Sequence, residues 1–297
     1  MESIQVKGIL SKMSEGDRWF GYDYKMNLYR GCCHGCIYCD SRSNCYHVDN
    51  FDTVRVKQDA LKILEQELRS KRNKGVVGIG AMSDSYNPFE KEQLVTRGAL
   101  ELLARYGFGV AITTKSDLIV RDIDLYKQIA SQSAAITMLT ITAAEDEIAR
   151  KIERNVVGSG LRFKAIERLS HAGIFTGILM TPILPYITDT EENIKGIVHN
   201  AAESGAKFIY AGLGVTLREN QRLYYYEWLD RLYPGMRIRY KERFGDMYNC
   251  ESEKAAFLQK IFREECKNAG IIYRMKDIIQ NYKKVPVYEQ LSMQFER

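Results

Sequence analysis

Between residues 76 and 213 the chain alternates short, continuous apolar runs with longer segments whose apolar positions recur every three or four residues. VVGIGAM (76–82), GVAITT (109–114), AAITMLTIT (134–142), IFTGILM (174–180) and AKFIYAGL (206–213) are runs of the first kind. They have the length and composition of strands buried on both faces. MNLYR (26–30) is a sixth, shorter candidate that leads straight into a cysteine-rich loop. The intervening segments read as helices. In VKQDALKILEQELRSKRN (56–73), Ala60, Leu61, Leu64 and Leu68 share one face. QLVTRGALELLARYG (93–107) and LRFKAIERLSHAG (161–173) end on glycines suited to a C-cap. LIVRDIDLYKQIA (118–130) and TEENIKGIVHNAAESG (190–205) complete the set.

Strands followed by helices at this spacing predict a parallel sheet covered on both faces. Six such units without a dinucleotide-binding glycine fingerprint favour an α/β fold of the partial (β/α)6 barrel type, TIM-like but incomplete, over a doubly wound sheet. The pattern changes near residue 215. YYYEWLDRLYPGMRIRYKERFG (224–245) is aromatic and basic, and EKAAFLQKIFREECKNAG (253–270) is amphipathic. The expected organisation is an N-terminal segment (1–25), a core barrel (26–215) and an α-rich C-terminal extension (216–297) packing on the core. The aromatic, basic stretch could stack on bases and contact phosphates. It reads equally as a core helix with a snorkelled basic rim.

Composition changes this picture in three ways. With 45% hydrophobic residues the 297-residue chain can bury a full core. A net charge of +5 permits a nucleic-acid partner, but Lys and Arg are spread along the chain and mark no patch. No apolar stretch approaches the roughly 18 residues of a membrane span. The opening MESIQVKGILSKMSEGDRWF lacks a basic region followed by an apolar run, so the expected location is the cytoplasm, with no membrane partner. In a reducing compartment, seven cysteines with four clustered read as metal ligands or redox groups rather than disulfides.

YRGCCHGCIYCD (29–40) places Cys32, Cys33, Cys36 and Cys39 within eight positions. A structural zinc site usually takes two separate C-x2-C pairs. Here the pairs overlap at Cys36, and no second pair follows. A cubane iron–sulfur cluster accepts thiolates crowded in one loop. The subset Cys32-x3-Cys36-x2-Cys39 leaves one iron without a protein ligand, open to a substrate or cofactor. A zinc protein or a four-cysteine electron carrier is the non-enzymatic alternative. Cys33, Cys45, Cys250 and Cys266 read as packed or free thiols, and His34 and His47 as exposed loop residues.

C-x3-C-x2-C with an aromatic residue, Tyr38, before the last cysteine resembles the signature of the radical S-adenosylmethionine (SAM) superfamily. The resemblance implies that Cys32, Cys36 and Cys39 hold a [4Fe–4S] cluster whose fourth iron chelates SAM. Reductive cleavage then yields a 5′-deoxyadenosyl radical that abstracts hydrogen from a substrate. A reductant such as flavodoxin or ferredoxin is implied as partner. YRGCCHGCIYCDSR, GIGAMSDSYNPFEK, ITTKSDLIVRDIDL and the segment 152–189 narrow the resemblance. They are similar to the subgroup of spore photoproduct lyase and its "DNA repair photolyase" paralogues, over about residues 26–215.

That resemblance implies a set of SAM contacts besides Tyr38. Most of the superfamily meets the methionine ammonium with a Gly-Gly-Glu, which this chain lacks; Ser83 and Asp84 stand in that loop. Lys115 would pair with the carboxylate, with Ser116 as a further donor. Thr142 would meet ribose, and Met180 adenine. In spore photoproduct lyase a cysteine just before the strand-two motif returns hydrogen to the product radical. Here the stretch reads Ala81-Met82-Ser83-Asp84. The expectation is therefore retained cluster chemistry on an unidentified substrate, a nucleic acid being one candidate. A DNA lesion lyase that relays hydrogen through tyrosines is the alternative enzyme.

Overall fold

The computed structural model describes residues 1–14 and 19–284. Its strands are β1 (Glu2–Ile4), β2 (Leu10–Lys12), β3 (Tyr24–Met26), β4 (Tyr29–Arg30), β5 (Arg55–Lys57), β6 (Val76–Ile79), β7 (Gly109–Thr114), β8 (Ala135–Thr140), β9 (Thr176–Met180), β10 (Phe208–Ala211), β11 (Gly214–Thr216) and β12 (Asn249–Glu251). The helices are α1 (Ala60–Ser70), α2 (Glu90–Gln93), α3 (Val95–Arg105), α4 (Ile123–Gln132), α5 (Asp146–Ile152), α6 (Ser159–His171), α7 (Glu191–Glu203), α8 (Glu219–Leu232), α9 (Met236–Phe244), α10 (Ala255–Asn268) and α11 (Met275–Tyr282).

The central sheet runs β10-β9-β8-β7-β6-β3-β2. Strands β3 and β6 to β10 are parallel, and β2 adds an antiparallel edge. This is the open, barrel-like α/β sheet the apolar runs predict. Successive residues face opposite ways. Val110, Ile112, Leu139, Ile178 and Met180 pack with Leu100, Leu103, Ile129, Ile166 and Ile197 from the helices. Ala111, Ile136, Met138, Leu179 and Phe208 face the interior, where they meet Phe20, Tyr22, Ile278 and Tyr282. The interior needs small residues opposite these rings. A Cβ on Gly78 would lie 2.6 Å from the Tyr22 ring, and one on Gly177 2.5 Å from the Phe208 ring.

The C-terminal segment completes this interior. α11 packs on the turn at Trp19–Gly21, and the Tyr282 hydroxyl donates to the Phe20 carbonyl at 2.6 Å. The free edge of β10 is covered in part by Ile272, whose carbonyl accepts from Ile209 N–H at 2.9 Å. α10 packs on α7. The expected boundary at 215 falls inside β11, which pairs with β12. Residues 285–297 of the expected extension lie outside the described residues. No helix among the described residues is long and apolar enough to cross a membrane.

Four elements differ from expectation. MNLYR is not one strand: the barrel strand is β3, and Tyr29–Arg30 pair with β5 in a second sheet, β1-β5-β4. Tyr24 and Met26 alternate with exposed Lys25, but Leu28 and Tyr29 are consecutive buried residues. That break in period two marks the change of sheet. Residues 55–57 are strand rather than helix, and α1 starts only at Ala60. Residues 117–122 form a 3-10 turn before α4. The second apolar run stops at Ile79, because Gly80 has φ +92°. A Cβ there would sit 2.1 Å from the Thr113 carbonyl, so only glycine makes the turn.

Candidate active site

The C-terminal ends of the parallel strands open into one pocket. Its walls come from the loop after β4 (Cys32, His34, Cys36, Tyr38, Cys39), the loop after β6 (Gly80–Asp84), and the ends of β7 and β8 (Thr113–Lys115, Thr140). Strand register delivers the last two walls. β7 ends in Thr113 and Thr114, and β8 in Thr140.

The cysteine loop is fixed at several points. Gly31 has φ +82°, and its neighbour Cys32 donates its N–H to the Phe51 carbonyl at 2.8 Å. Ile37 N–H donates to Ile152 O at 3.0 Å, and Asn155 N–H to His34 O at 3.0 Å. The Asn155 amide donates to Cys33 O at 2.8 Å, and the Gln221 amide from α8 to Tyr38 O at 3.1 Å. Below the loop, the Tyr38 hydroxyl donates to Glu153, which pairs with Arg162 at 2.5 Å. Glu153 and Arg162 are fully buried. Arg162 also donates to the Thr140 carbonyl at 2.9 Å and to Val157 O, so the pair ties the cysteine loop to the end of β8. Burial works against the Glu153 carboxylate, but Arg162 and Lys115 outweigh it and hold its pKa below the usual range.

Asp84 is committed to the protein. Oδ1 accepts from Tyr86 N–H at 2.9 Å and the Thr114 hydroxyl at 2.7 Å. Oδ2 accepts from Lys115 N–H at 2.9 Å and lies 3.4 Å from His34 Nδ1. The Ser83 hydroxyl donates to the Gly31 carbonyl. His34 is buried, against the expectation of an exposed loop residue. Burial lowers its pKa against the pull of Asp84, which keeps the ring neutral.

The thiols and Lys115 respond to each other. Burial, with Asp84 and Cys39 nearby, pushes the Cys32 thiol up to about 12. Burial also raises Cys36 and Cys39, against the attraction of Lys115. Lys115 feels the opposite. Burial lowers its pKa, but Cys36 and Glu153 more than compensate, so the ammonium stays charged. Its Nζ lies 5.7 Å from the centre of the Tyr38 ring, and it has no ion-pair partner among the described residues.

Three thiols on one wall and a charged ammonium opposite fit a metal cluster with an anionic ligand. The protons on the thiols must leave when metal enters, and the cluster's cations provide the compensating charge. Among the described residues no three Cys, His, Asp or Glu side chains converge on a single ion. Cys33 does not line the pocket and packs against the main core. Cys45 is exposed, and Cys250 and Cys266 are buried elsewhere.

Of the residues singled out in the sequence, the structure brings Cys32, Cys36, Cys39, Tyr38, Ser83, Asp84 and Lys115 to the pocket. Ser116, Thr142 and Met180 are not on its walls. The Ser116 hydroxyl accepts from Leu118 N–H at 3.3 Å. The Thr142 hydroxyl donates to Glu153 at 3.3 Å, and Met180 is buried in the core. Sequence reasoning missed Glu153, Arg162, Thr114 and Thr140, and it read His34 as an exposed loop residue. The threonines carried a signal, as polar residues closing apolar runs; the buried ion pair carried none.

A family model described as the radical SAM superfamily matches residues 26–200. An uncharacterized protein of Mycobacterium tuberculosis is 29% identical over 230 residues, 75% of this chain and 67% of the relative. Another, from Methanocaldococcus jannaschii, is 32% identical over 173 residues, 58% of this chain and 64% of the relative. Spore photoproduct lyase complexed with dinucleoside spore photoproduct superposes with a TM-score of 0.67 at 15% identity, covering 91% of this chain and 81% of that one. A double mutant of the same lyase with bound AdoMet gives 0.62 at 15% identity, covering 91% and 87%. At that identity the likeness is one of fold.

Proposed function

The chain belongs to the radical SAM superfamily, and from that premise we propose that this pocket cleaves SAM reductively to activate a substrate other than spore photoproduct. The observation that carries the reading is the shared pocket: the three thiols of the C-x3-C-x2-C motif lie with an ammonium, Lys115, that makes no direct ion pair among the described residues. When bound, the cluster and SAM together supply an electron and a breakable C–S bond, giving methionine and a 5′-deoxyadenosyl radical able to abstract hydrogen.

The protein's own share is positioning. Cys32, Cys36 and Cys39 would hold the cluster, and Lys115 would receive the methionine carboxylate as a charge-assisted hydrogen-bond donor. Asp84 has its acceptor positions filled by Tyr86, Thr114 and Lys115. It therefore acts first by fixing the Lys115 backbone and orienting neutral His34, and only secondarily as an acceptor for the ammonium beside Ser83. Tyr38, held by Glu153, keeps the last cysteine in register. The ribose subsite passes from Thr142, which faces Glu153, to Thr140 on the pocket wall. A physiological reductant such as flavodoxin or ferredoxin completes the system.

The substrate reading rests on Ala81, which lines the pocket where a thiol donor would be needed. A carbon-centred product radical has no weak S–H bond beside it there. Anaerobic reconstitution with dithionite and SAM should give 5′-deoxyadenosine; its absence overturns the reading. Incubation with dinucleotide spore photoproduct should consume SAM without stoichiometric thymine. Thymine formed over many turnovers would restore the lesion-lyase alternative.

A further inference from the structure

Met82 and Ser83 have a second cavity on their other side. It lies between the end of β1, the turn from β3 into β4, and the end of β5. Ile4, Val6 and Tyr29 supply its apolar surface. Its polar side chains are Arg30, Lys57, Asn27 and Ser83, whose hydroxyl is already given to the Gly31 carbonyl, and no carboxylate lines it.

Arg30, Lys57 and Asn27 are poorly used by the fold. Lys57 is half-buried and has no ion-pair partner among the described residues. Burial and the neighbouring Arg30 both lower its pKa, and Glu67 offsets them only in part. Glu67 has its Oε2 engaged by the Ile9 and Leu10 N–H groups, at 3.1 and 2.8 Å. Arg30 donates through Nη2 to the His47 carbonyl. Asn27 Oδ1 is buried with no donor. Two cations crowded together and an orphaned acceptor are each unfavourable for folding alone. An anion between the cations, with a hydroxyl or N–H directed at Asn27, would satisfy all three.

We propose that this cavity anchors the substrate through a phosphate group with an adjacent hydrogen-bond donor, the rest of the molecule reaching past Met82 into the cluster pocket. The assignment rests on the function proposed above for the adjoining pocket. The phosphate belongs either to a small phosphate ester or to a nucleic-acid backbone, and the test separates the two.

Binding of inorganic phosphate and of a single-stranded DNA decamer to the reconstituted holoprotein is measured by calorimetry for wild type, Lys57→Met and Arg30→Gln. Each substitution should weaken phosphate binding about tenfold, the scale of one charge-assisted hydrogen bond. A parallel loss for the decamer assigns a nucleic-acid backbone; a loss for phosphate alone assigns a small ester. Lys57→Met should also raise the melting temperature of the ligand-free protein, since it removes an uncompensated charge. Failure of the wild type to bind either probe, or equal binding by the variants, overturns the proposal. Formation of 5′-deoxyadenosine by the wild type tests the cluster pocket separately, so the two readings fail independently.

Discussion

The same parallel strands build two unlike ends. Where they begin, the interior is packed with Phe20, Tyr22, Phe208 and Tyr282 against Ala111, Ile136 and Met138. Where they finish, the side chains are Thr114, Lys115 and Thr140 beside three thiols. The first end contributes burial and nothing to chemistry. The second buries polar groups instead and gathers those that could hold a cluster. The division follows from parallel pairing, which points the strand ends the same way, so the ends of β6, β7 and β8 meet the cysteine loop that follows β4.

The sharpest way to break this contrast is to attack the buried ion pair beneath the polar end. Glu153→Ala should cost about 3–5 kcal/mol, because it strands Arg162 without a partner. Chemical unfolding of the apoprotein checks this, and the paired change Glu153→Gln with Arg162→Met should recover most of the loss. At the other end, Phe208→Ala should cost about 3–5 kcal/mol as a cavity, while SAM affinity of the folded fraction stays unchanged. Weakened SAM binding in Phe208→Ala would mean that the ends are coupled.

Lys115→Ala sharpens the contrast from the opposite side. It should weaken SAM binding by about 1–3 kcal/mol without lowering the melting temperature of the apoprotein, as seen by calorimetry, since it removes a buried ammonium with no direct ion pair among the described residues. The smallest effect is on pH. Cys32 rises in the folded apoprotein from an ordinary 9.0 to about 12. The folded state therefore disfavours the thiolate, and stability present below pH 9 should decline between pH 9 and 12. Thermal melts of the cluster-free protein across that window check the sign, and Cys32→Ala should flatten the decline.

Much of the sheet was legible because β6 to β10 are short, largely apolar runs. The cysteine loop was legible because its ligands are close in sequence. The change of sheet at Leu28 was less so, since two consecutive buried residues say only that alternation ends. The Glu153–Arg162 pair, nine positions apart in sequence, reads locally as ordinary surface charge. Its burial follows from the loop laid over it. The same holds for His34. Ser116 and Thr142 were expected at strand ends, but β7 stops at Thr114 and β8 at Thr140, so both lie in the turns that follow and turn to partners inside the protein.

The seal between Tyr282 and Phe20 joins segments 262 positions apart. A chain emerging from the ribosome has made its barrel strands and its cysteine loop long before the helix that closes the interior exists. Until then the ring cluster stays uncovered, an adhesive surface that chaperones recognise. The order of synthesis thus leaves an interval in which the ligand loop is complete while the body beneath it is still unsealed.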